Sequence, residues 1–309
     1  MVDTVVVTGG SGFIGSHLIS ELRHQKLKII NIDKVPPQRL ENDVHFQHAD
    51  LSDKDFKYIG EKPSVVFHLA ADTNLITKGK TWFDDSHSSF FNNSVSTFNV
   101  LKEINPEIII FSSTANLYGE GRKLKELSPF NISSQYGYSK LIAEQIIRSS
   151  LTQYRILRFG TVVGPRAKTY PARLVYCAMN NIETKVFCNG QNYRDLVDVR
   201  DIVDALIASV GFDEDYDRPR DTYNVSMGNE ICGQALAEIV SELALDRGYE
   251  LKYKLTPDRA PGYVKDSTLS IDRIREIQGW DPKIDVYSMI SSIFDYYENT
   301  LDAPEPPSA

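Results

Sequence analysis

At 309 residues with 41% hydrophobic side chains the chain can bury a full core, and its formal net charge of −8 leaves no basic footprint for nucleic acid or an anionic membrane. Three cysteines, Cys177, Cys188 and Cys232, match neither a disulfide framework nor a close metal-ligand set, so no metal is expected and a reducing compartment is. The first strand begins almost at once and no apolar run reaches the roughly 18 residues of a membrane span, which leads us to expect a cytosolic protein without a signal peptide.

Thr4-Val5-Val6-Val7-Thr8 is a β-branched run that reads as a buried parallel strand. It runs into Gly9-Gly10-Ser11-Gly12-Phe13-Ile14-Gly15 and then an amphipathic helix over about 16–26. Strand, glycine turn and helix N-terminus in that order bind a pyrophosphate. The glycines permit the tight turn, the approach of backbone to phosphate, and the packing of helix on strand. A second strand, 28–32, ends at Asp33 with Lys34 beside it, about 20 residues past the glycines. An acid there accepts hydrogen bonds from the adenosine ribose and repels a 2′-phosphate, so the cofactor is expected to be NAD rather than NADP.

Val44–His48 reads as a third strand leading to Asp50 and Leu51, and 64–69 as a fourth ending at Leu69. A polar helix near 90–103 precedes a fifth strand, 107–111; the helix that starts near Tyr136 runs to about Ser149, and 155–159 is a sixth strand. This alternation predicts an α/β fold, a doubly wound parallel sheet of the Rossmann type with a smaller α/β lobe. Ligands bind at the carboxyl ends of such strands, so Ala70-Ala71-Asp72, Ser112-Ser113-Thr114 and Gly160-Thr161 are expected to face a crevice. The Rossmann domain is expected over 1–160 plus about 191–225, taking in a helix at 201–206 and a strand at 222–225. The substrate lobe is expected over about 161–190 plus 226–295, with a helix at 233–245. Asp198 and Asp201 read as hydrogen-bonding or capping residues, 213–217 as a solvated acidic loop, and 302–309 as a frayed proline-rich tail.

Tyr136-Gly137-Tyr138-Ser139-Lys140 can make a base out of a phenol. Residues four apart share a helix face, so the Lys140 ammonium sits near the Tyr136 hydroxyl and favours its phenolate. Lowering a phenol by roughly 3 pKa units takes about 4 kcal/mol, which a second positive charge close by could help to supply.

The chain resembles the extended short-chain dehydrogenases that act on nucleotide sugars. The likeness covers nearly its whole length: Thr8 to Gly15, His68-Leu69-Ala70-Ala71, Phe111 to Gly119, Tyr136 to Lys140, Leu157-Arg158-Phe159-Gly160, Val163-Gly164-Pro165-Arg166, Tyr193 to Val199, and Gly279-Trp280-Asp281-Pro282. The resemblance implies Tyr136 as catalytic base, Lys140 as its partner and a contact of the nicotinamide ribose, and Thr114 as the hydroxyl that bonds the reacting sugar oxygen. For the cofactor it implies Gly9, Gly12, Phe13, Ile14 and Gly15 at the pyrophosphate, Asp33 and Lys34 at the ribose, Asp50 and Leu51 at adenine, Leu69, Ala70 and Ala71 at a strand end, and Asn93 and Ser112 nearby. His68 is a strand-end residue in that pattern and is read as structural.

For the substrate, a nucleotide-diphosphate sugar, the resemblance implies Asp72, Thr161, Arg194 and Arg259, with arginine holding the diphosphate. Two departures stand out. Ala260 lies where the family often has its second phosphate arginine, with Arg259 one place earlier, and Thr161 replaces a frequent asparagine. Family dehydratases carry an Asp-Glu pair directly after the active-site Thr, whereas this chain has Ala115 and Asn116, neither of which shuttles a proton. The expected activity is therefore an NAD-dependent nucleotide-sugar epimerase, a 4-epimerase working through a keto sugar. An NAD-dependent dehydrogenase or ketoreductase is the alternative; a 4,6-dehydratase or a non-catalytic NAD-binding protein ranks lower. The resemblance also implies a homodimer built on the 90–103 and 136–149 helices.

Overall fold

The computed structural model describes residues 4–73, 86–210, 220–258 and 265–300. Arg259, the acidic stretch 213–217 and the tail from 302 lie outside the described residues. In chain order the elements begin β1 (Thr4–Thr8), α1 (Phe13–Leu22), β2 (Lys28–Asp33), β3 (Val44–His48), β4 (Val65–His68), α2 (Ser86–Asn99), β5 (Ile108–Thr114), β6 (Gly121–Leu124) and α3 (Gln135–Ser149). They continue with β7 (Gln153–Phe159), β8 (Thr161–Val163), α4 (Tyr170–Met179), β9 (Thr184–Val186), β10 (Tyr193–Asp198), α5 (Val199–Ala208) and β11 (Arg220–Val225). The last are β12 (Glu230–Cys232), α6 (Gly233–Asp246), β13 (Tyr253–Leu255), β14 (Ser267–Leu269), α7 (Asp272–Gln278) and α8 (Val286–Asn299).

The chain divides into two compact units, Met1–Tyr118 with Pro129–Arg158 and Val203–Tyr223, and Gly119–Ser128 with Phe159–Ile202 and Asn224–Ala309. The two largest differences from the boundaries expected from sequence are at 119–128 and 191–202. Residues 119–128 join the second unit because β6 pairs in parallel with β14. Residues 191–202 join it because β10 is the centre of the second sheet, bonded to β12, β14 and β8. Neither strand has the apolar alternation that announces one in sequence.

A seven-stranded sheet, ordered β11-β7-β5-β4-β1-β2-β3, carries the first unit, and the pairs from β5 to β3 are parallel. The order reverses between β1 and β4, which puts the switch point of the doubly wound fold beside the glycine turn. Val6, Ile30, Val66 and Ile109 lie in register across four strands and are all at most 2% exposed. They pack with Val100, Ile104, Ala143 and Ile147, and each buried Val or Ile among them contributes roughly 1.5–3 kcal/mol relative to leaving it in water.

Element edges shift for local reasons. α1 starts at Phe13 rather than near 16, because Gly12 already has extended N-cap geometry. β5 runs on to Thr114, since the Ser112 and Ser113 hydroxyls find buried partners, the His68 carbonyl and Glu144. α2 begins earlier than expected and passes into a π-helical turn at Val100–Ile104, closed by Asn105 at φ +51. The second unit packs α4, α6 and α8 around a core that includes Leu174, Leu196, Val240 and Ile293.

Candidate active site

β1 delivers the chain into a glycine turn too tight for side chains. Gly9 has φ +72, and a Cβ there would lie 2.7 Å from the backbone of Ala70; a Cβ on Gly15 would lie 2.2 Å from the Gly9 carbonyl oxygen. α1 begins with no side-chain cap and no acid in its first turn, so the amides at Phe13 and Ile14 and the positive end of the helix suit an anion. Asp33 ends β2. Its Oδ2 accepts from Ser11 N at 3.0 Å and its Oδ1 from Val35 N at 3.0 Å, which fixes the carboxylate while each oxygen keeps a second lone pair suited to a ribose hydroxyl. Lys34 is exposed beside it. Burial pushes the Asp50 carboxyl up, but the Ser52 hydroxyl and amide outweigh it and hold it low. Asp50 thus builds a turn, and Leu51 is buried in the core of the sheet.

The end of β5 carries Thr114 and the start of α3 carries Tyr136 and Lys140, the three residues expected from sequence to react. Ser134 caps α3 by accepting from Gly137 N at 3.0 Å. This sets Tyr136 in the first turn and Lys140 one turn on. Lys140, 1% exposed, donates from Nζ to the Ser112 carbonyl at 2.7 Å, with Nζ 4.6 Å from the Phe111 ring centre and 5.8 Å from that of Tyr136. Thr114 is 8% exposed and its Oγ1 accepts from Asn116 N at 3.2 Å. Burial pushes the Tyr136 phenol up to about 12 and draws the Lys140 ammonium down to about 7, the latter against the pull of Glu144. Bringing a phenol from about 12 to neutrality takes roughly 7 kcal/mol. Burial therefore enlarges the demand read from the Tyr-Lys spacing, and a further cation has more to supply.

His68 is fully buried between Thr8 Oγ1 at 2.8 Å and Thr97 Oγ1 at 3.0 Å, and burial, with the Lys140 charge adding, pushes it down to about 3. It is a neutral structural imidazole. Asn93 accepts from Asp72 N at 2.7 Å and donates to Asp72 O and to Ser139 Oγ at 3.0 and 2.9 Å. Its amide thus ties the segment after β4 to α2 and α3. Leu69, Ala70 and Ala71 are half-buried at that strand end, and Ala70 N donates to Thr8 Oγ1.

In the second unit, β8 and β10 set Thr161 opposite Leu196, and Thr161 and Arg194 line a cavity of about 230 Å3 with Tyr170, Phe187 and Asn192. Arg194 Nη1 donates to the carbonyls of Tyr193 and Lys265 at 2.9 and 2.7 Å. Its neighbour Asp195 accepts instead from the amides of Gly228 and Leu269, and burial pushes it up to about 6. Asp198 accepts from Arg200, and Asp201 from the amides of Lys283 and Ile284.

Sequence reasoning missed three residues. Glu144 and Arg158, 0% and 2% exposed, form a buried bidentate pair. The signal for Glu144 was its spacing, four residues past Lys140 on the same face. Asn192 is 8% exposed, and its Oδ1 has no hydrogen-bond partner in the cavity wall. Nothing in its sequence setting marks it. Among the described residues no group of His, Cys, Asp or Glu could hold a metal, and no helix is long and apolar enough to cross a membrane.

A family model described as the NAD dependent epimerase/dehydratase family matches residues 5–226. UDP-glucose 4-epimerase of Lacticaseibacillus casei is 26% identical, over 96% of this chain and 97% of that protein. UDP-N-acetylglucosamine 4-epimerase from Methanobrevibacter ruminantium, solved with UDP-N-acetylmuramic acid, is 27% identical with a TM-score of 0.83, covering 96% of this chain and 99% of that one. Thermus thermophilus UDP-glucose 4-epimerase, solved with NAD, is 25% identical with a TM-score of 0.80, covering 96% and 100%.

Proposed function

The chain belongs to the NAD dependent epimerase/dehydratase family, and from that premise we propose that it is an NAD-dependent nucleotide-sugar 4-epimerase. The observation that carries this reading is the make-up of the β5 and α3 ends. They carry the Tyr136 phenol, the buried Lys140 ammonium and the Thr114 hydroxyl, with Ala115 and Asn116 following Thr114 where elimination of water would need a second acid-base pair. The relatives named above are 4-epimerases of UDP-sugars, which supports the same position on the sugar.

The residues present fit NAD. A glycine cradle that any Cβ would fill, an α1 N-terminus free of acids, and Asp33 at the end of β2 match its pyrophosphate and adenosine ribose. We assign Gly9, Gly12, Phe13, Ile14 and Gly15 to the pyrophosphate, Asp33 and Lys34 to the ribose, and Asp50 and Leu51 to adenine. Leu69, Ala70, Ala71, Asn93 and Ser112 shape the remaining wall. Bound there, NAD would supply the acceptor and donor of the sugar carbon's hydride and, when oxidised, a positive charge that adds to that of Lys140 in favouring the Tyr136 phenolate.

Tyr136 takes the proton of the sugar hydroxyl and later gives it back. Lys140 holds the phenolate by its charge and bonds the nicotinamide ribose, and Thr114 donates to the developing carbonyl oxygen. Inversion follows if the keto sugar turns over before hydride returns to its other face, with Asp72 bonding the sugar. Arg194 offers a planar fork to a diphosphate, and Thr161 and the Asn192 amide give the apolar cavity its polar points. Arg259, outside the described residues, is proposed as a second phosphate contact.

Exposed Phe91 and Phe98, seven residues apart on α2, and Tyr138 on α3 support a homodimer formed through these helices. Three free cysteines support a cytoplasmic setting. The test is direct: denature the purified protein, identify the released dinucleotide, and follow UDP-, GDP-, CDP- and dTDP-sugars by NMR without added cofactor. Catalytic formation of a 4-epimer is expected. Product formed only in proportion to added NAD or NADH would overturn epimerisation in favour of a dehydrogenase or ketoreductase.

A further inference from the structure

Beneath the proposed proton-moving pair lies a second, deeper set of charges. Glu144 follows Lys140 by one turn of α3 and is 0% exposed. Arg158 on β7 grips it from two nitrogens, Nε to Oε1 at 2.9 Å and Nη2 to Oε2 at 2.7 Å, and Ser113 Oγ on β5 donates to Oε1 at 2.6 Å. Arg148 Nη2 approaches Oε2 at 3.5 Å, and Arg158 Nη1 donates to the Tyr118 hydroxyl at 2.8 Å. A buried ion pair contributes little net stability over apolar packing of the same shape, so stability alone does not account for burying these charges.

Their position does. Lys140 carries a charge with almost no solvent, and its Nζ donates to a neutral carbonyl, Ser112 O. The ionisable groups around it are Tyr136 and Glu144 on α3 and His68 on β4; Phe111 and Ser112 face it from β5, and Arg158 on β7 and Arg148 stand beyond the carboxylate. His68 is neutral, so until Tyr136 ionises the negative charge in this set is Glu144, one helical turn along α3 from Lys140. The same carboxylate joins the β5 residue before Thr114 to the helix that carries Tyr136. We infer that Glu144 is a positioning residue: held by Arg158 and Ser113, it supplies negative charge that favours the Lys140 ammonium, and it fixes the end of β5 to α3, so that Thr114 and Tyr136 keep their mutual setting. This rests on the proposed proton-transfer role of Tyr136 and Lys140.

The sign is fixed by Lys140 being needed as a cation. Burial already lowers its affinity for the proton, and removing the adjacent negative charge lowers it further. Activity is then lost from the alkaline side at a lower pH. The experiment measures kcat for the epimer at saturating nucleotide sugar from pH 5.5 to 10 on the NAD-loaded protein, with melting temperature and bound NAD as controls. Glu144→Gln is expected to move the alkaline limb down by about one pH unit, costing roughly tenfold at pH 8.5 and under about threefold at pH 6. Glu144→Asp and Ser113→Ala, which leave the charge in place, are expected to lower kcat severalfold with the limb within about 0.3 units of native.

A Glu144→Gln protein that melts normally with an unmoved limb would overturn the inference. If that variant does not fold, the other two decide: a limb that shifts in Ser113→Ala, or kcat unchanged in both, overturns it equally. Tyr136→Phe separates the two levels. Turnover surviving in it sinks the underlying mechanism, whereas a dead Tyr136→Phe beside an unmoved Glu144→Gln limb removes only the role of Glu144.

Discussion

The two units treat buried polarity in different ways. In the first, several buried polar groups near the proposed chemistry are held by others: Glu144 by Arg158 and Ser113, His68 by two threonines, Asn93 by Asp72 and Ser139. In the second, an apolar cavity contains an amide oxygen on Asn192 without a partner. The contrast separates two tasks. Groups that move protons are set in advance, since reorganising them during the reaction would raise the barrier. A surface that recognises a ligand can leave part of its hydrogen bonding to that ligand.

The largest effect that can break this division is Tyr136→Phe. It removes one oxygen from the pre-set region and is expected to lower kcat by about 1000-fold with NAD still bound, as read by turnover and by the dinucleotide released on denaturation.

Next comes acid. His68 sits at about 3 when folded and near 6.5 when unfolded, so its stability is fully present above about 6.5 and lost as pH falls towards 3, by up to about 5 kcal/mol. Asp195 runs the other way. Raised to about 6 by burial, it gives stability that is present below its unfolded value near 3.8 and lost as pH rises through about 6, by up to about 3 kcal/mol. Between pH 6 and 4, hydrogen exchange is expected to show the first unit losing protection and the second gaining it. His68→Asn and Asp195→Asn should each flatten the response of their own unit, and parallel responses would end the comparison.

Two smaller changes sharpen it. Arg194→Met should raise KM for a nucleotide sugar by roughly 10- to 100-fold with kcat within a few fold, the loss of charge-assisted hydrogen bonds. Asn192→Leu should raise the unfolding free energy by about 1 kcal/mol, by removing a buried oxygen without a partner, while raising KM a few fold. A variant that melts lower would mean that the amide is satisfied inside the protein.

How far the sequence could be read follows from the same contrast. The strands and helices of the first unit were visible because buried parallel strands are continuous apolar runs and the glycine turn tolerates no other residue, as the contacts at Gly9 and Gly15 make plain. Tyr136 and Lys140 were singled out by their four-residue spacing and Asp33 by its place after the glycine turn, whereas Thr114 was named only through the family resemblance. Glu144 and Arg158 were not legible, since a glutamate on a helix and an arginine on a strand ordinarily read as solvent-facing, and their burial comes from pairing across 14 residues of sequence. In the second unit β6, β8, β9 and β12 to β14 are three or four residues long, too short for a period to appear. Asn192 gains its meaning only from a cavity assembled out of several such pieces.

The strand order also bears on how the protein is made. β11 neighbours β7 in the sheet, yet residues 160–219 lie between them in the chain. On the ribosome, at about 5–20 residues per second, β7 is therefore the raw edge of a nascent sheet for several seconds before its partner emerges. Open edges recruit stray strands, and inward-pointing charges are one of the defences against that. Arg155 and Arg158, both buried in the finished sheet, place such charges on β7 and give the half-made chain a guard that the completed enzyme no longer displays.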